Sequence, residues 1–380
     1  RSLNTAQRIT LARLLERVGR WTDCRDELVS IVAGPNTPPT YVAELVEKLI
    51  DHGELSSAKT WLTRLQKTTA GTAITTALEA KLAFAQNDRK LAAETARKLM
   101  PGGLVPGNKP EQLAALGRLM EDLAFPKAAD KVFAQYADTS PDGVLARAEF
   151  LGRQKRGGEA LDLLENSWDA LALEPLLSSA VEVIRSQDDP TASIQRVEPW
   201  LVKARRIDPG SVVPPMLDAE LLTLRGRGDE AERMYRELLA RQDLTPVQHA
   251  VVSNNLACHL AKPSTAEEAG RLIDKAIAEV GPLPDLLDTR GLVRMALGRK
   301  TEALADLQEA VLQPSDVKYM HLAWAQLEGG DKAAAQQSLE AARKRGLRMS
   351  RLAPDDRERL AQLESALGTT AATEPTANQG

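Results

Sequence analysis

Little in this sequence is suited to chemistry at a side chain. Only two cysteines and four histidines occur in 380 residues, and aromatics make up 3%. The histidines, at 52, 249, 259 and 321, show neither the i, i+4 spacing on one helix nor the intervening carboxylate of a zinc site, and are expected to be turn and surface residues. Cys258 and His259 are neighbours, but neighbours on a helix point about 100° apart, which excludes a thiolate–imidazole pair. No GxSxG elbow is present, and the acid pairs Asp188–Asp189 and Glu267–Glu268 sit at turns or helix starts. GGLVPGNK at 102–109 looks like a phosphate loop until Asn108 appears where lysine should follow the second glycine, after a helical segment rather than a strand. Gly226, Arg227 and Gly228 form a helix–helix turn, not a dinucleotide fingerprint. No catalytic residue, cofactor site or metal site is therefore expected, and no enzyme.

Charge of one sign is lacking too. Lys and Arg number 49 against 53 Asp and Glu, a net charge of −4, so no global positive field attracts nucleic acid or anionic lipid. The basic runs at 203–206 and 343–351 carry no interleaved aromatics. No apolar run approaches a membrane span, and no basic segment followed by an apolar one opens the chain. With Arg1 rather than Met in first place, the chain is expected to be processed or part of something longer. A cytoplasmic location is the expectation, or a periplasmic or membrane-associated one if a missing N-terminus carried a signal or anchor.

What the sequence does have is a period. In the stretch LLDTRGLVRMALGRKTEALADLQEA at 286–310, Leu287, Gly291, Val293 and Ala296, then Ala303, Leu307, Ala310 and Val311, mark two amphipathic helices broken at Gly298. Such a pair cannot bury both faces alone. It recurs: Ala231, Ala269, Ala303 and Ala335 are separated by 38, 34 and 32 residues, and Cys24, Ala58 and Ala92 are each 34 apart. Leu113, Leu116, Gly117, Ala129, Phe133 and Pro141 fit the same pattern, as does NNLACHLA at 254–261. The register weakens over 168–209, where Ala180, Val197, Leu201, Ala204 and Pro209 fit only if the first helix is lengthened. The apolar residues Leu360, Leu363 and Leu367 mark a last helix, and the tail that follows has little to bury.

On these positions the sequence resembles the tetratricopeptide repeat family, and NNLACHLA is typical of its bacterial members. The resemblance covers about 345 residues and departs in its few aromatics. It implies an all-α fold, an α-solenoid: a right-handed superhelix of about ten helix–turn–helix repeats in one continuous body. The expected division is an array over 1–346, irregular at about 168–209, a capping helix over 347–367 and a disordered tail over 368–380. In such a stack only neighbouring units touch, so Cys24 and Cys258 cannot pair, and Cys24, in an alanine position, should be buried and inert.

The resemblance also implies a function. In the family the first helices line a concave groove that accepts an extended peptide or partner helix. Carried over by position, the groove candidates are Arg13, Glu47, Lys81, Arg118, Glu149, Glu220, Asn254, Asn255, Asp288, Met320 and Trp324. Arg118, Asn254, Asn255, Asp288 and Trp324 are the partner-binding expectation, since asparagine offers a backbone both donor and acceptor and tryptophan is a frequent anchor. The family's clamp for chaperone C-termini is absent: Asn255 matches one member, but Met216, Glu220, Asp285 and Thr289 stand where its other members should be. The expected function is a non-catalytic scaffold for a protein or peptide. Its alternatives are the recognition arm of a larger enzyme or signalling protein, or a self-assembling array.

Overall fold

The computed structural model describes residues 3–17, 20–34, 37–103, 105, 109–347, 349 and 352–368. Gly19, most of the loop that looked like a phosphate loop (Leu104 and 106–108), and the expected tail beyond 368 lie outside the described residues. Among those described there is no strand. The chain divides into two compact units, Arg1–Ala172 and Leu173–Gly380. The first holds α1 (Thr5–Arg17), α2 (Trp21–Val32), α3 (Pro39–Asp51), α4 (Leu55–Thr69), α5 (Ala73–Ala85), α6 (Arg89–Arg97), α7 (Pro110–Asp122), α8 (Pro126–Ala137), α9 (Pro141–Arg153) and α10 (Gly157–Asn166). The second holds α11 (Leu173–Arg185), α12 (Thr191–Ile207), α13 (Val213–Leu224), α14 (Gly228–Leu239), α15 (Pro246–His259), α16 (Ala266–Val280), α17 (Pro284–Ala296), α18 (Lys300–Ala310), α19 (Asp316–Glu328), α20 (Lys332–Lys344) and α21 (Pro354–Leu367). Odd- and even-numbered helices pair as ten hairpins, and α21 stands alone.

One local device closes most hairpins. A left-handed residue ends the first helix, and the next N–H reaches back to the carbonyl five residues earlier, satisfying carbonyls that a helix end leaves orphaned. Glu54, Asp88, Phe125, Arg156, Arg227, Arg299 and Asp331 make that bond at 2.8–2.9 Å. Gly53, Gly226, Gly298 and Gly330 supply the positive φ in four of these turns; Asn87, Ala124 and Lys155 adopt it at 64°, 56° and 63°. A Cβ there is strained, so exposed Ala124→Gly is expected to raise stability by roughly 1 kcal/mol, read in a chemical unfolding curve. An unchanged or lower midpoint would show that the turn is not strained.

The uneven period has local causes. Between α15 and α16 the link runs over 260–265, against 297–299 between α17 and α18, and Thr265 Oγ1 bonds the Leu260 carbonyl at 2.8 Å to close it. With the one extra residue of α15, 14 long where α17 has 13, this produces the step of 38. The step of 32 follows from α18, 11 residues long where α16 has 15, offset in part by a longer link over 311–315 against 281–283. In the irregular stretch it is the second helix that lengthens, not the first: α12 has 17 residues, with Pro199 inside, and α11 has 13.

The core lies where the helices of each hairpin cross. Ala58, Ala92, Ala129, Ala160, Ala231, Ala269, Ala303 and Ala335 are all at 0% exposure, and small side chains there let helix axes approach to the short end of the usual range. Cys24 is buried among them, and burial, then Glu16, pushes its thiol up to about 11, consistent with an inert core position. Among the described residues no helix is long and apolar enough to cross a membrane.

Candidate functional site

Successive first helices place residues about 34 apart side by side, and the sequence exploits this with charge. In the first unit Arg13 grips Glu44 with two bonds of 2.7 and 2.8 Å, Lys48 meets Glu16 at 2.9 Å, and Lys81 pairs with Glu47. Arg153 holds Glu121 with bonds of 2.8 and 2.9 Å. In the second unit Arg185 pairs with Glu220. Four groove candidates, Arg13, Glu47, Lys81 and Glu220, are thus held by a neighbouring repeat, which lowers their value as free contacts. Glu149 lies 4.0 Å from Arg153, and Arg118 is exposed on α7 with no ion pair assigned to it. Met320 is a correction: at 0% exposure it belongs to the core with Ala323 and Leu339. It precedes Trp324 by one turn, and the core takes the side chain nearer the second helix.

The second unit gathers the remaining candidates. On α15, Val247 and Val251 are 64% and 39% exposed, and with Asn254 and exposed Cys258 they form a stripe at i, i+4, i+7 and i+11, one helix face. Asn255 is turned aside and hydrogen-bonds the buried Tyr235 hydroxyl. Asn254 Oδ1, by contrast, is shielded from water with no partner. The same is true of Asp288 Oδ1 on α17 and Trp324 Nε1 on α19. Two acceptors and a donor on three consecutive first helices are therefore left open. Crowding by surrounding protein, and then Asp356, pushes the Cys258 thiol up to about 12, which lowers its thiolate fraction at neutral pH.

His321 corrects the expectation of surface histidines. It is 3% exposed, with Nδ1 2.9 Å from Asp288 Oδ2 and Nε2 3.0 Å from Asp356 Oδ1. Its partners lie 33 residues before it and 35 after, a relation that no local motif reveals. Burial alone would lower the imidazole pKa, but Asp288 and then Asp356 outweigh it and raise it from 6.5 to about 10. Burial likewise would raise Asp356, yet His321 and Arg359 hold it at about 2 instead of 3.8. Arg359 bonds Asp356 at 2.5 Å and lies 5.2 Å from the centre of the Trp324 ring.

The signs fix a pH window. The histidine's contribution is complete below pH 6.5 and disappears as pH rises through about 10; that of Asp356 is complete above 3.8 and disappears as pH falls through about 2. Both are whole between 3.8 and 6.5. Unfolding midpoints measured from pH 6 upward are expected to fall towards pH 10 more steeply in the native chain than in His321→Gln. Parallel slopes would contradict the assignment. Cys258, Asp288, Asp356 and Arg359 are the other titratable or charged groups around this imidazole.

The sequence reading missed a second cluster. Asp306 on α18, 4% exposed, accepts from Arg290 at 2.8 and 2.7 Å and from Arg294 at 2.6 Å. The signal available was two arginines, one turn apart, on the first-helix face that meets α18. Between them Gly291 makes the crossing possible, since a Cβ there would stand 2.6 Å from Leu307 Cγ; Gly117 takes Phe133 in the same way, at 2.8 Å. A first-helix glycine seated under a large second-helix side chain, beside a wholly buried alanine, recurs in the α7–α8 and α17–α18 hairpins, in line with the family resemblance. These are tetratricopeptide-type repeats.

No protein-family model and no curated protein matches the chain. Among solved structures it is similar to yeast Tom70, at 15% identity over 95% of this chain and 81% of that one, with a TM-score of 0.46. It is also similar to the APC/C hetero-tetramer Cut9–Hcn1, at 14% identity, 96% and 76% coverage and a TM-score of 0.43. A tetratricopeptide repeat protein from Parabacteroides merdae gives 16%, 80% and 98%, and 0.34. At these scores the repeat type rests on the hairpins themselves. Among the described residues no three His, Cys, Asp or Glu side chains are placed to hold a metal ion.

Proposed function

We propose that the chain is a non-catalytic protein-interaction scaffold whose tetratricopeptide-type first helices α15, α17 and α19 hold an extended segment of a partner protein. The observation that carries this reading is the open hydrogen-bonding capacity of Asn254, Asp288 and Trp324 beside the exposed Val247 and Val251. A buried polar atom without a partner costs about 1–3 kcal/mol, which a peptide backbone supplying two N–H groups and a carbonyl recovers. The valines offer apolar area to alternate side chains of such a segment. Because many charges of the first-helix row are already paired between repeats, affinity should fall only modestly with salt.

Selection of a displayed peptide library on the full chain tests the proposal. Selected peptides are expected to lose about tenfold in affinity on Asn254→Ala, one hydrogen bond's worth. A similar loss is expected on Trp324→Phe, which keeps a smaller aromatic ring and removes the N–H. The exposed Glu309→Ala on α18 should change nothing. Peptides that respond to Glu309→Ala and ignore the other two would place recognition on another face and overturn the reading.

A further inference from the structure

The N-terminal end of α21, from Asp355 to Arg359, reaches three elements of the proposed groove at once. Asp355 lies 3.7 Å from Lys262, in the loop that ends α15; Asp356 bonds His321 on α19, which in turn holds Asp288 on α17; Arg359 lies over the Trp324 ring. A helix that only covered the open end of the last hairpin would have no need to reach α15, three first helices away. The rear of α21 is held separately: Leu360 and Leu363 pack with Met320, Ala323, Leu339 and Ala342, and Glu364 bonds Arg343 at 2.8 Å. The front end can therefore lift while the rear stays docked, at the cost of the Asp356–His321 pair. The link to Lys262 joins two side chains each about half exposed, so it is weak.

We infer that the N-terminal end of α21, from Asp355 to Arg359, is a built-in strap across the C-terminal end of the groove, which a partner segment must lift to reach Asp288 and Trp324. The inference rests on the proposed groove for its consequence, but the strap can be tested without a partner. Cys258 feels the charges of this end, with Asp355, Asp356 and Arg359 among its charged neighbours. When this end lifts, two carboxylates and one guanidinium leave the thiol, and a fall of about one pKa unit raises the thiolate fraction about tenfold.

The experiment is the rate at which a small thiol reagent labels Cys258 in the folded full chain, with hydrogen exchange in α17 and α18 as the control. Arg359→Ala and Lys262→Ala each remove a cation from the strap's attachments. By electrostatics alone, losing a cation near a thiol raises its pKa and slows labelling; by opening the strap, labelling accelerates. Faster labelling of Cys258, by about tenfold, with hydrogen exchange in α17 and α18 unchanged, supports the strap. Unchanged or slower labelling overturns it. Should Arg359→Ala also quicken exchange in α17 and α18, that variant has loosened the second unit as a whole, and Lys262→Ala, in an exposed loop, decides. The same two variants should bind any Asn254-dependent peptide more tightly than the native chain. If the native chain has no Asn254-dependent peptide, the proposed function fails while the labelling still decides the strap; if such a peptide exists and labelling is unchanged, the strap alone fails.

Discussion

Asp306→Ala is expected to destabilise the second unit by about 3 kcal/mol or more, among the largest single losses in this chain. The carboxylate is almost wholly buried and accepts three bonds from two guanidiniums, themselves about one-fifth exposed. Removing it leaves two cations facing each other with their desolvation uncompensated. Asp274, 3.7 Å from Arg290, and Glu302, 3.6 Å from Arg294, offer only partial replacement because both are mostly exposed. Since repeat arrays unfold in segments, the effect is best read as hydrogen exchange in α17 and α18 rather than as one global midpoint. Exchange there should quicken strongly, while α3 and α4 in the other unit should not respond. A triple change of Asp306, Arg290 and Arg294 to leucine should restore much of the loss. If the single change is silent, the cluster is a surface network and not part of the core.

The second large effect is expected at Gly143, in the first turn of α9. A Cβ there would stand 2.1 Å from the carbonyl oxygen of Tyr136, near the end of α8, and a backbone atom cannot swing aside as a side chain can. The approach is tight because the junction is short. The Ser140 hydroxyl caps α9 by accepting from Gly143 N at 3.1 Å, and Thr139 donates to the same Tyr136 carbonyl from both its N–H and its hydroxyl. Gly143→Ala must push α8 and α9 apart, at or above the roughly 1–3 kcal/mol typical of overpacking. Gly158→Ala, with nothing within 4 Å of its Cβ, is the control and should leave stability nearly unchanged. Equal effects at both positions would contradict the packing described here.

How far the sequence could be read depended on whether an interaction repeats. Ala58, Ala92, Ala231, Ala269, Ala303 and Ala335 were legible because the same steric demand recurs at each crossing, and Gly53, Gly226 and Gly298 because each must end a first helix in the same left-handed turn. The longer α12 was assigned to the wrong helix because a weak register shows that residues are extra without showing where. Met320 was misplaced because it and Trp324 stand one turn apart on the same side of α19, and only the position of α20 decides which is covered. His321 and Asp306 were illegible for a different reason. A buried charge is tolerable only with partners a repeat away or across a hairpin; the local pattern marks at most the two arginines facing Asp306, and nothing marks the partners of His321. The ion pairs that commit Arg13, Glu47, Lys81 and Glu220 follow from the 34-residue step once the register is fixed, so they could have been deduced from it.

The central claim is that a partner segment lies along α15, α17 and α19. A photo-activatable benzophenone side chain placed at Val251, and in a second protein at Glu309, tests it most directly with a selected peptide. The account predicts cross-linking from position 251, abolished by excess unlabelled peptide, and none from position 309. Cross-linking from 309 with none from 251 would contradict it.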